Sequence, residues 1–258
     1  MPWHEDQNHP FAGIAEKLKR SNENIINLHR EIGDFFEACK YPVLPDVNSE
    51  EWQEAVDYHR NLVIPLRCGV LSGEIVHHLR SCLDHIVWYF SSAQYRAEAE
   101  NAIEFPVFRE EPLTKKKIAG YERKIKGITN SNVLSLVRDL QPYKRGSDAE
   151  DDPVCIVHDM DRFDKHRELA IVGGRANVAI PPSAGIDAAR AVAKYGQREP
   201  LTDIQLALAR GTIKHDAKVF PQVAFARFGK RKNQFVVPVL VQLHEAIFKR
   251  IDLFAALI

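Results

Sequence analysis

Residues 66–95 decide the fold of this chain, and they read LRCGVLSGEIVHHLRSCLDHIVWYFSSAQY. At the 100° turn per residue of an α-helix, their apolar side chains gather on one face. These side chains are Leu71, Ile75, Leu79, Cys82, Leu83, Ile86 and Phe90. The opposite face carries Glu74, His77, His78, Ser81, Asp84 and His85. The stretch therefore predicts one long helix, with one side in a core and the other facing solvent, a partner or a ligand.

Other helices are predicted on both sides of this segment. Between Ile14 and Cys39 apolar residues recur every three or four positions, a seam suited to lengthwise packing on another helix. Pro153 is well placed to begin a helix that should run to about Ile171. From Pro238 an apolar stripe indicates a last amphipathic helix.

The character of the sequence changes after residue 172. Arg175–Ile180 and Ile204–Arg210 are β-like, with a small helix expected at Ser183–Lys194. Val223–Phe228 and Gln234–Val237 flank five turn-forming residues, which indicates a β-hairpin.

Together these patterns predict a mainly α fold class: a helical bundle with a small β-hairpin region near the C-terminus. The predicted division is a helical bundle over 10–172, a small β-containing region over 173–237, and a C-terminal helix over 238–258 that packs back on the bundle.

The amino-acid composition restricts the classes of function that this chain can have. Thirty-five basic and 35 acidic side chains cancel, so a nucleic-acid binder would have to act through a local patch. Four widely spaced cysteines indicate buried thiols in a reducing compartment. The polar N-terminus and the lack of a membrane-length apolar run favour a cytoplasmic location without membrane attachment.

The polar face of the central helix holds the candidate chemistry. Arg80 and His85 project about 140° apart on a helix, and should form the two rims of that face. Asp84, His77 and Ser81 would lie between them, and Arg80 and Asp84 have the i,i+4 spacing of an ion pair.

The segment Arg80-Ser-Cys-Leu-Asp-His85 resembles the Arg-x4–6-His pattern of the HEPN superfamily, helical bundles that include many RNases of toxin and defence systems. The chain around it is also similar to a group of uncharacterised bacterial proteins. The segments that carry this similarity are His78-Leu-Arg-Ser-Cys-Leu-Asp-His85, Phe105-Pro-Val-Phe108, Leu140-Gln-Pro-Tyr143 and Asp161-Arg-Phe-Asp-Lys-His-Arg167.

The HEPN resemblance implies a metal-independent ribonuclease without a cofactor, working as a homodimer. His85 would exchange protons with the 2′-OH, because its pKa suits that task near neutrality. Arg80, paired with Asp84, would stabilise the phosphorane through its guanidinium. HEPN nucleases usually carry Asn, Asp or His after the arginine, whereas this chain has Ser81, so an inactive RNA-binding relative is the other form of the hypothesis.

Further polar residues are predicted to bind substrate or partner. On the central helix they are His77, His78 and Ser81, and on the Pro153 helix they are Lys165 and His166. The basic stretch Lys115–Lys126 would bind phosphates. Alternatively, it forms a solvated loop or helix face. Its candidate residues are Lys115, Lys116 and Lys124.

A structural interpretation of the same residues stays open. Arg80 and Asp84 would then form a structural ion pair in a helical bundle that binds an unknown partner without catalysis. Arg167 falls on the apolar face of its helix, where a structural ion pair is also expected.

A metal site is the other alternative. Glu74 and His77 have the i,i+3 spacing of carboxylate-bridged metal sites, although no second copy of that motif occurs. Further ligands could come from the Pro153 helix, through His158, Asp161 and His166.

Overall fold

The computed structural model describes residues 2–45, 49–165, 171–179, 218–226 and 234–258. Within these ranges the chain is mainly α-helical, which confirms the predicted fold class. The helices are α1 (Ala12–Glu37), α2 (Trp52–Arg60), α3 (Leu66–Phe90), α4 (Ala93–Ala99), α5 (Lys115–Ile125), α6 (Ser131–Asp139), α7 (Pro153–Asp164) and α8 (Val236–Ala255). Short 3-10 segments cover Glu100–Ala102 and Pro142–Asp151, and the two strands are β1 (Ile171–Ala179) and β2 (Lys218–Phe225). None of the described helices combines the length and the apolar character needed to cross a membrane.

Contacts within the chain divide it into two compact units. The first unit consists of Met1–Ile25, Gly73–Arg167 and Leu240–Ile258, and the second of Ile26–Ser72 and Glu168–Val239.

The core of the first unit forms around the apolar face of α3, as predicted. Ile75, Leu79 and Leu83 are fully buried. The Cys82 thiol lies 3.8 Å from the Ile14 carbonyl oxygen. A second contact between α1 and α3 joins the Asn24 amide to the Glu74 carboxylate at 2.9 Å. The order of these contacts shows that α1 and α3 pack lengthwise and antiparallel, so the packing expected from the α1 seam is confirmed.

The last helix completes that core. His244 of α8 hydrogen-bonds the Leu18 carbonyl of α1 at 3.0 Å. Arg250 of α8 donates to the buried Asp152 carboxylate at 2.9 Å. Asp152 also caps the N-terminus of α7 by accepting from the Val154 amide. One buried carboxylate therefore links the start of α7 to α8.

The second unit contains the antiparallel pair of β1 and β2, whose register runs from Ile171 opposite Phe225 to Ala179 opposite Lys218. Ala224 also forms an antiparallel bridge with Phe235, and the Phe225 amide donates to the Gln234 carbonyl. The two arms of the predicted hairpin therefore pair, although its turn lies outside the described residues.

Several predicted boundaries were wrong. The central helix ends at Phe90 rather than Tyr95, because the Ser92 amide donates to the Gly127 carbonyl instead of continuing the helix. The Pro153 helix ends at Asp164, and Ile171 already belongs to β1. The last helix begins at Val236, since a proline is tolerated within the first helical turn. The predictions for Ile204–Arg210 and Ser183–Lys194, and those for His166 and Arg167, lie outside the described residues.

Candidate functional site

Arg80 does not lie on the rim of the polar face, so that part of the prediction is wrong. The residue is only 3% exposed. Its Nη1 lies 2.9 Å from Asp84 Oδ1, and its Nη2 donates to the Phe105 carbonyl at 2.9 Å. Glu104 Oε2 lies 3.7 Å from Nη2 on the same side. The guanidinium is therefore enclosed by protein groups, with the Phe105 carbonyl as its hydrogen-bond acceptor and Asp84 as its ion-pair partner.

Asp84 completes this arrangement, which confirms the predicted i,i+4 ion pair. Its Oδ1 accepts a hydrogen bond from the Phe105 amide at 2.8 Å. Burial raises the pKa of the Asp84 carboxyl above its usual range, while the Arg80 charge and the Phe105 amide oppose that rise. Arg80 and Asp84 together therefore fix the backbone of the segment that follows α4.

A second sequence segment is fixed to the same loop by Gln141. Its Nε2 donates to the Pro106 carbonyl at 2.8 Å and to the Val137 carbonyl at 3.0 Å, and its Oε1 accepts from the Phe108 amide. The segments that contain Arg80, Phe105 and Gln141 thus meet through hydrogen bonds. This structural role accounts for the residue types without invoking catalysis.

His85 lines an open pocket of about 460 Å³. The same pocket is lined by Asp84 and by the aromatic rings of Trp88 and Tyr89, each 37% exposed. Its remaining walls come from the N-terminal part of α1 and from the residues around α4, namely Pro10, Phe11, Gly13, Ile14, Arg96 and Ile103.

The pocket combines aromatic surface with the positive charge of Arg96. The Arg96 guanidinium lies 5.8 Å from the centroid of the Trp88 ring, in a cation–π arrangement. No described carboxylate lies within ion-pair distance of Arg96 or of Lys17. Burial lowers the pKa of His85, and the nearby charge of Lys17 lowers it further. The lowered pKa favours the neutral form of the His85 imidazole near pH 7.

His77 lies two turns earlier on α3 and has a different environment. Its side chain is 56% exposed, and its Nδ1 lies 2.9 Å from Oδ1 of Asp161 on α7. The Asp161 side chain is only 5% exposed, and its Oδ2 also pairs with Lys165 at 2.7 Å. The structure thus brings together the predicted residues His77 and Lys165, through a carboxylate that the sequence suggested only as a metal ligand.

The other predicted binding residues of α3 do not converge on one point. His78 is half-buried, and its Nδ1 has no hydrogen-bond partner among the described residues. Burial, followed by the charge of Lys17, lowers the pKa of His78. Ser81 is half-buried on the turn after His77.

The basic stretch forms α5, whose cations divide into two groups. Lys115 and Lys116 are exposed in its first turn. Lys124 instead pairs with Glu104 at 2.6 Å and lies over the Phe108 ring. Lys124 is therefore part of the internal network, whereas Lys115 and Lys116 remain available to a ligand.

The metal alternative gains no geometric support in the described ranges. Glu74 is bonded to Asn24, and His77 to Asp161, so the two members of the Glu-x-x-His pair face different partners. Across the part of the chain that the structure describes, no group of three or more His, Cys, Asp or Glu side chains is arranged to hold a metal ion.

Trp88, Tyr89 and Arg96 were not predicted as site residues. Trp88 lies one turn beyond His85 on α3, so an aromatic residue on the polar side of the helix was the available signal. Arg96 had no such signal, because it reaches the pocket only when the chain turns at Ser91 and begins α4.

Comparisons with protein-family models, with curated proteins and with solved structures find no match to this chain. The HEPN resemblance therefore stays a prediction.

Proposed function

We propose that this chain is a HEPN-like helical protein that binds single-stranded RNA in the His85 pocket, without using Arg80 as a phosphate ligand. One observation carries the proposal: His85, Trp88, Tyr89 and Arg96 line the same open cavity.

Single-stranded nucleic acid offers the two chemical features that this pocket complements. Bases stack on aromatic side chains, and phosphates pair with cations that follow the strand. Trp88 and Tyr89 provide exposed rings, while Arg96 provides a guanidinium that makes no ion pair among the described residues. The neutral His85 imidazole can donate or accept a hydrogen bond at a base edge or a 2′-OH.

The buried state of Arg80 favours binding over cleavage by an Arg80–His85 pair. A guanidinium that stabilises a phosphorane must reach the phosphate oxygens. Arg80 would have to leave both Asp84 and the Phe105 carbonyl to do so. Of the two forms of the HEPN hypothesis, the geometry thus favours the RNA-binding relative.

We also retain two parts of the hypothesis as proposals. A homodimer would place two His85 pockets on one particle, and a cytoplasmic location would give access to RNA. All four cysteines are buried free thiols, which suits a reducing compartment.

The test is retention of labelled mixed-sequence RNA on a filter, in EDTA and at low salt. Trp88→Ala should weaken binding about 10-fold or more, since a stacked base contributes about 1–3 kcal/mol. Arg96→Gln should weaken binding and make it less salt-dependent, because one phosphate contact is lost.

Lys249→Gln is the matched control, since Lys249 is an exposed cation on α8 outside the pocket. It should bind RNA as the wild-type protein does. Failure of the wild-type protein to retain RNA at low salt would reject the proposal. Equal affinity of Trp88→Ala and wild-type protein would reject the pocket as the binding site. RNA cutting in EDTA that is lost in His85→Ala would instead support the ribonuclease form.

A further inference from the structure

A second polar cluster lies outside the His85 pocket and consists of His77, Asp161 and Lys165. The nearly buried Asp161 carboxylate holds an imidazole with one oxygen and an ammonium group with the other. The side chains of His77 and Lys165 are both more than half exposed. The Asp161 carboxylate thus holds the His77 imidazole and the Lys165 ammonium group next to each other at the protein surface.

Asp161 determines which nitrogen of His77 faces outward. An ionised carboxylate only accepts hydrogen bonds, so the His77 Nδ1 must carry the proton in this contact. In the neutral imidazole the lone pair then lies on Nε2, directed away from Asp161. Carboxylate–histidine pairs that work as general bases use this arrangement, in which the carboxylate fixes the tautomer and orients the ring.

The geometry points to an acid–base centre for phosphodiester cleavage, with His77 as the base, Asp161 as its positioning residue and Lys165 as the group that neutralises phosphate charge. This goes beyond the proposed RNA binding, because it assigns a reaction to residues outside the binding pocket. It also differs from the Arg80–His85 pair, since Lys165 and His77 are exposed where Arg80 is buried.

The nucleophile must come from the substrate or from water. Among the described residues no serine, threonine or cysteine side chain is hydrogen-bonded to His77. Ser81 occupies the next turn of α3 but makes no hydrogen bond with the imidazole. RNA supplies its own nucleophile, the 2′-OH adjacent to the scissile phosphate. Substrates without that hydroxyl should therefore resist cleavage.

The step balances without an added reactant. His77 Nε2 takes the 2′-OH proton, and the 2′ oxygen forms a bond to phosphorus. The bond between phosphorus and the 5′ oxygen breaks, and the leaving oxygen takes a proton from water, whose hydroxide is neutralised by the proton that His77 releases. The products are a 2′,3′-cyclic phosphate and a 5′-hydroxyl, and the His77 proton returns to solvent.

The position of the cluster allows one strand to use both sites. His77 precedes His85 by eight residues, which is about 12 Å along the axis of α3. An RNA strand that runs from Trp88 along α3 toward its N-terminus would reach His77 within a few nucleotides.

The test uses the full chain with the dinucleotide uridylyl-(3′→5′)-adenosine in EDTA, and follows the release of adenosine and cyclic phosphate by chromatography. His77→Gln should lower the cleavage rate about 100-fold or more, the range of a lost general base. Lys165→Met should also lower it. His29→Gln, which changes an exposed histidine of α1, should cleave at the wild-type rate. Deoxyuridylyl-(3′→5′)-adenosine, which lacks the 2′-OH, should remain intact.

Asp161→Asn should also lower the rate, with its folding checked by thermal melting because Asp161 is buried. Wild-type protein that does not cleave the dinucleotide above the buffer blank overturns the inference, and so does cleavage unchanged in His77→Gln. RNA retention without cleavage rejects this centre and leaves the proposed binding function intact. Cleavage without RNA retention supports this centre and rejects the binding pocket.

Discussion

Arg80 and Asp84 form an ion pair at 2.9 Å, and both hydrogen-bond the backbone of Phe105. The carbonyl of Phe105 accepts from Arg80, and its amide donates to Asp84. Phe105 is itself fully buried, with its ring 6.3 Å from that of Phe254 on α8. The ion pair thus positions a core side chain as well as a loop.

Replacing Arg80 should destabilise the protein strongly. Arg80→Ala leaves the buried Phe105 carbonyl unpaired and the one-third exposed Asp84 carboxylate without its cation, a change that should cost about 1–3 kcal/mol. Urea melts at neutral pH measure the loss. Lys115→Ala, at an exposed position, should change the free energy of unfolding by less than about 0.5 kcal/mol. Equal midpoints for Arg80→Ala and wild type would show that the ion pair is not structural.

Gly73 of α3 lies directly against Asp164 at the end of α7. A Cβ atom at this position would overlap the Asp164 carboxylate. Because the methyl group would have to displace that carboxylate, Gly73→Ala should forfeit most of the roughly 0.5–1 kcal/mol that alanine normally adds to a helix. Gly120→Ala on α5 is the control, because no atom lies within 4 Å of the place that its Cβ would occupy. That change should stabilise the protein by about 0.5–1 kcal/mol, as alanine favours the helix. Equal stabilisation by the two variants would contradict the close approach.

Gln141→Glu tests the hydrogen bonds that fix the 105–108 segment. The amide nitrogen of Gln141 donates to two carbonyl groups, whereas a glutamate oxygen would repel both. Because the residue is 1% exposed, the variant should lose about 2–4 kcal/mol of stability at pH 7. Part of that loss should disappear in mild acid, where a protonated glutamate can donate again. Gln7→Glu, at an exposed position, should melt as the wild type does at both pH values.

Acid should destabilise the protein in part through His158. Burial, followed by the positive charge of Arg80, lowers its pKa to about 4. The unfolded chain therefore binds this proton first, so stability is complete above the unfolded pKa of about 6.5 and falls as the pH drops toward 4. Solvent screening of a half-buried group limits the contribution to about 1–2 kcal/mol.

Melting temperatures of wild-type protein and His158→Gln between pH 7 and pH 4.5 measure this contribution. The variant should lose less stability over that interval than the wild type. Parallel pH profiles would show that His158 takes up its proton equally well in the folded protein.

The apolar stripe of α3 was predictable because burial follows the helical period, and Ile75, Leu79 and Leu83 lie where the pattern placed them. The place of Arg80 was not predictable in the same way. A helical wheel places Arg80 at the border between the polar and the apolar face. It is buried because the segment around Phe105 packs over that border, which the wheel does not show.

At the candidate site, too, contacts within one helix were predictable and contacts between helices were not. The polar face and the Arg80–Asp84 pair followed from spacing within one helix. The contact between His77 and Asp161 joins residues 84 positions apart, so it depends on how α3 and α7 pack. Arg96 joins the pocket through the turn at Ser91, which the apolar pattern alone did not indicate.

Arg80 binds the carbonyl of Phe105, so an anion that binds Arg80 must displace the segment around Phe105. An RNA phosphate that captured this guanidinium would release the Phe105 carbonyl and leave Asp84 with an unpaired charge. The freed segment would then exchange its Phe105 amide hydrogen with solvent and become open to proteases. Occupancy of Arg80 by a ligand would therefore be visible as a local loosening of the fold, whereas a ligand held at Trp88 and Arg96 would leave that amide protected.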